Sequence, residues 1–228
     1  MATASSEHTA LCTKATVRIA VCGAGWWAQG WHLPHLHRNP RATIVAIVEP
    51  NPTPRSATST LESTAALGEL YGVPTFATVE ALLASGVALD GVVVCTPHRT
   101  HAHIGTLALA AGKHVLMEKP MTTNVAEARA LLAAATAAAP LCFMVNNTAN
   151  WRPQAKLAAD CIAAGRIGAV EHVQCSMHSP LLWLFDDPAN EGWTAPTAGM
   201  AGNGFGWGQL SHLLAWVFKV TALEPTEV

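Results

Sequence analysis

The sequence is poor in charge, has no clusters of basic residues and lacks a long uninterrupted apolar run. Charged residues make up 12% of the 228 residues, apolar residues make up 50%, and the net charge is −2. This composition excludes a disordered tail protein, which is charged and poor in large apolar groups. No two lysines or arginines are adjacent. We therefore expect no nucleic-acid partner, because such binding depends on clustered basic charge.

The longest nearly apolar stretch, residues 130–145, is too short and too interrupted to cross a membrane. It is rich in alanine and is broken by Thr136 and Pro140, whereas a bilayer span needs about 20 apolar residues. We expect no membrane partner. Residues 1–16, predicted to be a flexible tail, lack the apolar core of a secretory signal. A cytoplasmic location is therefore favoured, with an organellar transit peptide as the alternative. The six cysteines show no CxxC spacing, which favours reduced thiols.

Short apolar runs alternate with helical segments through the first part of the chain. Runs that are apolar on both faces are typical of a parallel sheet covered by helices. Helices are predicted between these runs, for example over residues 100–111 and from Asn124 onward, where Glu127 completes a pattern close to a capping box. The sequence thus predicts an α/β doubly wound sheet of the Rossmann type over residues 17–145. Its strands are predicted at residues 17–22, 44–48, 91–95, 114–117 and 141–145.

The pattern changes after Val145, which predicts a second, partial α/β domain over residues 146–228. A helix is expected at residues 153–164, a strand at 170–177 and a final helix at 210–220. Between them, residues 180–204 are rich in proline and glycine. Their tryptophans and phenylalanine favour a packed lid over a disordered loop.

A glycine-rich motif directly follows the first predicted strand and indicates a dinucleotide site. Gly23, Gly25 and Ala28 form the pattern G-x-G-x-x-A. In this motif the first glycine permits a tight turn and the second lets the backbone approach a pyrophosphate, while a small third residue keeps the helix close to the sheet. Trp26 and Trp27 lie inside the motif and are predicted to border the cofactor.

The residue at the end of the second strand, Glu49, favours NAD over NADP. A carboxylate there accepts hydrogen bonds from an adenosine ribose and repels a 2′-phosphate. Arg55 is near enough in sequence to offer a guanidinium to a 2′-phosphate. NADP therefore stays an alternative.

Two further motifs follow strands and should meet at the same edge of the sheet. Thr96, Pro97 and His101 come after the third predicted strand, and Glu118 and Lys119 come after the fourth. In an open α/β sheet, ligands bind beyond the carboxyl ends of the strands. A lysine there, next to the nicotinamide, polarises a substrate hydroxyl or carbonyl.

Taken together, these motifs resemble those of the Gfo/Idh/MocA oxidoreductases, which include glucose–fructose oxidoreductase and inositol dehydrogenase. The resemblance runs from about residue 17 to residue 220. It implies NAD(P)-dependent oxidation or reduction of sugars, cyclitols or small polyols, and an oligomer in full-length relatives. The matching features are the G-x-G-x-x-A turn, His32-Leu33-Pro34, Thr96-Pro97 with His101, and above all Glu118-Lys119-Pro120.

The resemblance also assigns roles within the site. Lys119 corresponds to the catalytic lysine, and Glu118 and the Thr96-Pro97 turn would line the nicotinamide pocket. His212 corresponds to the histidine that exchanges a proton with the substrate hydroxyl. The family carries an aspartate four residues before that histidine, where this chain has Gly208. On the same approach, Trp207 and Gln209 are predicted to contact the substrate.

Three alternatives bear on this prediction. A non-catalytic regulator that binds the dinucleotide, or a redox-assisted lyase or glycosidase, would use the same fold. The eleven histidines raise the question of a metal, but no carboxylate or cysteine stands beside them at ligand spacing, and we expect none. Because relatives are usually much longer, we also expect this chain to be C-terminally truncated.

Overall fold

The computed structural model describes residues 16–56, 58–181 and 205–227. Six parallel strands form one sheet in the order β3-β2-β1-β4-β5-β6. The order reverses between β1 and β4, and this reversal creates a switch point at the carboxyl ends of these two strands. The strands are β1 (Val17–Cys22), β2 (Ala42–Val48), β3 (Thr75–Phe76), β4 (Gly91–Val94), β5 (His114–Met117) and β6 (Phe143–Val145).

Helices connect the strands, as a parallel sheet requires. Side chains of Ser63, Thr78 and Asn124 each accept a hydrogen bond from a backbone N–H three residues on and so cap three of them. The helices are α1 (Leu33–Arg38), α2 (Thr64–Tyr71), α3 (Val79–Ala84), α4 (His101–Ala110), α5 (Val125–Ala137), α6 (Pro153–Ala163) and α7 (Phe205–Thr221).

The sheet is buried on both faces. In β1, Ala20 and Cys22 pack into one apolar cluster, while Val21 packs into a second cluster. Because successive side chains of a strand point to opposite faces, the two clusters lie on the two sides of the sheet. The predicted doubly wound α/β fold is confirmed, and five of its six strands begin and end within a few residues of the predicted positions, whereas β3 has no predicted counterpart.

The strand predicted at residues 170–177 is wrong. Residues 170–181 belong to no strand, and among the described residues that follow Val145 only helices α6 and α7 and two short turns are regular. An extended apolar segment becomes a strand only when a neighbour accepts and donates its backbone hydrogen bonds. No such neighbour is present among the described residues. Nearly all of the predicted lid, residues 182–204, lies outside them.

The C-terminal helices leave part of their apolar surface open in the described structure. α6 packs against α7, yet Trp151, Leu157 and Leu214 are exposed. No helix among the described residues is long and apolar enough to cross a bilayer.

Leu82 tests how far the packing of α3 supports the sheet. Its side chain has 0% exposure and lies in the first apolar cluster, whereas Leu70 on α2 is 65% exposed. Leu82→Ala is expected to lower the free energy of unfolding by about 2–5 kcal/mol, because it removes buried contacts and leaves a cavity. Leu70→Ala should change it by less than about 0.5 kcal/mol. Urea denaturation of both variants measures the difference, and equal losses would contradict the assigned burial.

Candidate active site

The predicted dinucleotide turn joins β1 to the first helical segment. Gly23 has a φ of +93°, and a Cβ there would fall on the carbonyl of Cys95, so only glycine fits. A Cβ on Gly25 would meet no atom within 4 Å, which leaves open space beside the turn. Ala28 is fully buried, as close packing of helix on sheet requires.

The helix after this turn begins with an uncommon geometry. Residues Ala28–His32 form a π-helical turn, which continues directly into α1. The backbone N–H of Leu33 donates to the carbonyl of Ala28, five residues back. Such π-turns are rare and occur frequently at functional sites.

Glu49 lies where the sequence predicts it, at the end of β2. One carboxylate oxygen accepts the backbone N–H of Ala24 at 2.8 Å, and the other accepts that of Asn51 at 2.9 Å. The carboxylate is thus fixed against the glycine turn. Arg55, on the same loop, is exposed.

His101 has a different place from the predicted one. Its ring nitrogens lie 2.9 Å from the carbonyl oxygen of Pro120 and 3.0 Å from that of Thr96, and the residue is fully buried. Burial lowers the pKa of His101, while the two carbonyl partners favour the protonated ring. The predicted cofactor contact of His101 is corrected, because main-chain carbonyls occupy both nitrogens. The ring instead joins the turn that follows β4 to the turn that follows β5.

Thr96 and Pro97 form that first turn. The hydroxyl of Thr100 donates to the hydroxyl oxygen of Thr96 at 2.8 Å, and it also lies 2.7 Å from the carbonyl oxygen of Pro97. A short 3-10 turn, His98–Thr100, then leads into α4. The Thr96-Pro97 turn therefore lies at the carboxyl edge of the sheet, beside the glycine turn and Cys95.

Glu118 is the centre of a buried cluster at the end of β5. Its carboxylate accepts hydrogen bonds from Trp27, His32 and Asn146 at 2.7–2.9 Å. Burial opposes ionisation, but these three hydrogen bonds outweigh it and lower the pKa of Glu118 to about 2. We call these four residues the Glu118 cluster.

The sequence motifs missed the functional place of two members of this cluster. The sequence motifs include His32 only as part of the family pattern, and they do not include Asn146. A usable signal exists for Asn146, because it directly follows β6 and so lies at the edge where ligands bind. Nothing in the local sequence shows that His32 faces Glu118, because that contact depends on the π-turn.

Lys119 and His212, predicted to be catalytic, come together in the structure. The ammonium of Lys119 donates to the carbonyl of Gly208 at 3.4 Å, which brings α7 to the end of β5. Burial lowers the pKa of Lys119, opposed by the charge of Glu118. Burial, together with the charge of Lys119, lowers the pKa of His212 to about 4.

The residues around His212 differ in their accessibility. The indole N–H of Trp207 donates to the carbonyl of Thr122 at 2.7 Å and fastens α7 to the segment after Pro120. Part of the Trp207 ring stays exposed, whereas Gln209 is only 8% exposed. A substrate therefore reaches Gln209 only if neighbouring side chains move. Trp26 and Trp27 contact each other edge to face, with ring centroids 5.2 Å apart, and Trp26 is partly exposed.

These residues fit a dinucleotide. The open space at Gly25, the obligatory glycine at Gly23 and the carboxylate of Glu49 are what a pyrophosphate and a ribose require. The same residues can also be compared with the requirements of a metal site. Across residues 16–56, 58–181 and 205–227, no group of three or more His, Cys, Asp or Glu side chains is arranged to hold a metal ion.

Comparison with known proteins places this architecture in a family. The model of an oxidoreductase family with an NAD-binding Rossmann fold, Gfo/Idh/MocA, matches residues 17–146. Galactose 1-dehydrogenase of Pseudomonas fluorescens is 31% identical over 54% of this chain and 36% of its own length. Inositol 2-dehydrogenase of Rhizobium meliloti is 29% identical over 72% of this chain and 46% of its own.

A solved structure extends the likeness in fold beyond the matched residues. A putative dehydrogenase from Bordetella bronchiseptica superposes with a TM-score of 0.74 at 24% identity, over 91% of this chain and 50% of its own. The chain thus spans at most about half the length of these relatives. The family model matches residues 17–146, and the sheet order agrees with a Rossmann fold. This chain therefore belongs to the Gfo/Idh/MocA family of oxidoreductases.

Proposed function

We propose that this chain carries the site of an NAD(P)-dependent dehydrogenase. Its reaction transfers a hydride between the nicotinamide and a secondary alcohol or ketone of a sugar, cyclitol or small polyol. The observation that carries the proposal is the meeting of Lys119 with the helix of His212 beside the glycine turn. Relatives named as galactose and inositol dehydrogenases support the substrate class.

Lys119 and His212 have different roles toward the same oxygen atom of the substrate. The ammonium of Lys119 donates to that oxygen and stabilises the negative charge that develops on it. His212 is neutral near pH 7, since its pKa is about 4, and it takes the hydroxyl proton as general base. NAD(P), when bound, would supply the acceptor for the hydride that leaves the carbon bearing this oxygen. The alcohol thereby loses one proton and one hydride and becomes a ketone.

The cofactor would lie along the carboxyl edge of the sheet. Gly23 and Gly25 would face the pyrophosphate, and Glu49 would accept the hydroxyls of the adenosine ribose. The Thr96-Pro97 turn would adjoin the nicotinamide. Because a carboxylate repels a 2′-phosphate, Glu49 favours NAD over NADP, and the exposed Arg55 is the group that would take that phosphate.

Replacing Lys119 tests the assignment of catalysis. Lys119→Ala should lower turnover by at least about a hundredfold, because the reacting oxygen loses its charged donor, while NAD affinity changes by less than about threefold. The exposed Lys156, paired with Asp160, provides the control variant Lys156→Ala. The assay follows nicotinamide absorbance with galactose, inositols and related polyols.

Three outcomes contradict the proposal. Unchanged turnover in Lys119→Ala removes the lysine from the reaction. Tight dinucleotide binding without turnover by any polyol would instead support a regulator. Product formation without net change in nicotinamide absorbance would support redox-assisted lyase or glycosidase chemistry.

The pKa of His212 sets the pH dependence of oxidation. The group must be neutral to accept a proton, so its activity is lost only as the pH falls through about 4. Oxidation should thus keep most of its kcat/KM at pH 5.5, where a histidine with an ordinary pKa near 6.5 would be about 90% protonated. Steady-state kinetics from pH 4.5 to 8 measures this.

A substitution on α7 tests why the pKa of His212 is low. Gly208→Asp puts a carboxylate one helical turn before His212, which should raise the pKa of His212 and move the acid limb upward. Gly206→Asp adds the same charge at a position that does not share a face with His212 and is the control. An acid limb at pH 6.5 in the unmodified chain, or one that Gly208→Asp leaves in place, would contradict this assignment.

A further inference from the structure

Three hydrogen bonds, from two parts of the fold, converge on one oxygen of Glu118. Oε1 accepts from Trp27 Nε1 at 2.9 Å, from His32 Nε2 at 2.8 Å and from Asn146 Nδ2 at 2.7 Å. The other oxygen, Oε2, lies 3.2 Å from the backbone N of Lys119. A carboxylate offers about four lone-pair sites, two on each oxygen, so the three protein donors saturate Oε1, whereas Oε2 has one protein donor. Oε1 is thus held by the protein.

The π-turn is what brings two of these donors together. Trp27 and His32 are five residues apart, and in an α-helix such positions point roughly 140° away from each other. The π-turn closes its backbone hydrogen bond over five residues, so the two side chains come onto one face. The π-turn therefore allows both Trp27 and His32 to contact Glu118.

The cluster is buried, so its bonds are expensive to break. The side chains of His32 and Glu118 are only 11% and 9% exposed, and a buried charge that loses a partner costs far more than an exposed one. Glu118 stays ionised because of these donors. The helix after the glycine turn is thereby fastened to the residue that directly precedes Lys119.

We propose that His32 is a positioning residue, which acts through Glu118 to hold the glycine turn against the backbone of Lys119. Its ring donates to Glu118, Glu118 holds the backbone N–H of Lys119, and the π-turn holds Gly25 beside the open space at the turn. The catalytic part of this inference rests on the proposed dehydrogenase. The part that concerns cofactor affinity does not require turnover.

A double-mutant cycle between His32 and Glu118 tests the proposal. His32→Leu removes the donor and should weaken NAD binding by tenfold or more, measured by calorimetry on the full chain. His32→Gln places an amide N–H where Nε2 lies and should restore the affinity to within about threefold. Glu118→Gln should weaken binding in the unmodified chain, yet by less than about threefold once His32 is Leu, because contacting residues are coupled.

Two control variants separate positioning from stability. His37→Ala removes an exposed histidine of α1 and should leave affinity and turnover unchanged. Leu82→Ala destabilises the core away from the cluster and should lower the melting temperature without a tenfold loss of affinity. If His32→Leu fails to fold, Trp27→Phe, which replaces the indole and its N–H donor by a smaller ring, replaces it in the cycle.

Several results would overturn the proposal. An equal loss from Glu118→Gln with His or Leu at position 32 would make Glu118 a direct cofactor ligand. A His32→Gln variant as weak as His32→Leu would show that the donor is irrelevant. If the unmodified chain binds neither NAD nor NADP, the proposed function fails instead. In that case the melting temperatures of the same variants are measured without cofactor. Strictly additive losses of melting temperature for the His32 and Glu118 substitutions would show that the two residues are not coupled and would overturn the proposal.

Discussion

A buried carboxylate must be surrounded by hydrogen-bond donors, and this requirement at Glu118 organises the candidate site. Trp27 and His32 come from the segment after β1, and Asn146 comes from the end of β6. The parallel sheet brings these segments to one edge, because all its strands end on the same side. The donors outweigh the cost of burying the charge and keep Glu118 ionised. The position of Lys119 follows, since it is the next residue along the chain.

Much of the sheet could be predicted from the sequence because its strands are buried on both faces. Such strands are continuous apolar runs, and β1 was predicted residue for residue. Helices α2 and α3 were not predicted, although Ser63 and Thr78 cap them. They are short, and a single capping residue is a weak signal beside the strand pattern. The strand expected at residues 170–177 failed for another reason, because a strand depends on a partner that local sequence does not contain.

In the candidate site, the sequence predicts at which edge of the sheet a residue lies but not which side chains it contacts. Motif and topology together placed Gly23, Glu49 and Lys119 at the carboxyl edge, because the end of each strand fixes where the next residues lie. Contacts between side chains were beyond this reasoning. His101 was expected to face the cofactor and instead joins two main-chain turns. His32 contacts Glu118 only because a π-turn replaces an α-helical one, and no composition rule marks that change.

The electrostatics of the site depend on a neutral carbonyl, that of Gly208, beside the ammonium of Lys119. Lys119 donates to a neutral carbonyl there, whereas an aspartate at this position would bring a full negative charge to both Lys119 and His212. Without that charge, burial and the nearby ammonium dominate, and both lower the pKa of His212. Near pH 7 the imidazole is therefore neutral, which is the form that can accept a proton, and its low pKa makes it a weaker base than an ordinary histidine. In the proposed dehydrogenase, His212 would therefore be in the protonation state that a general base requires near pH 7.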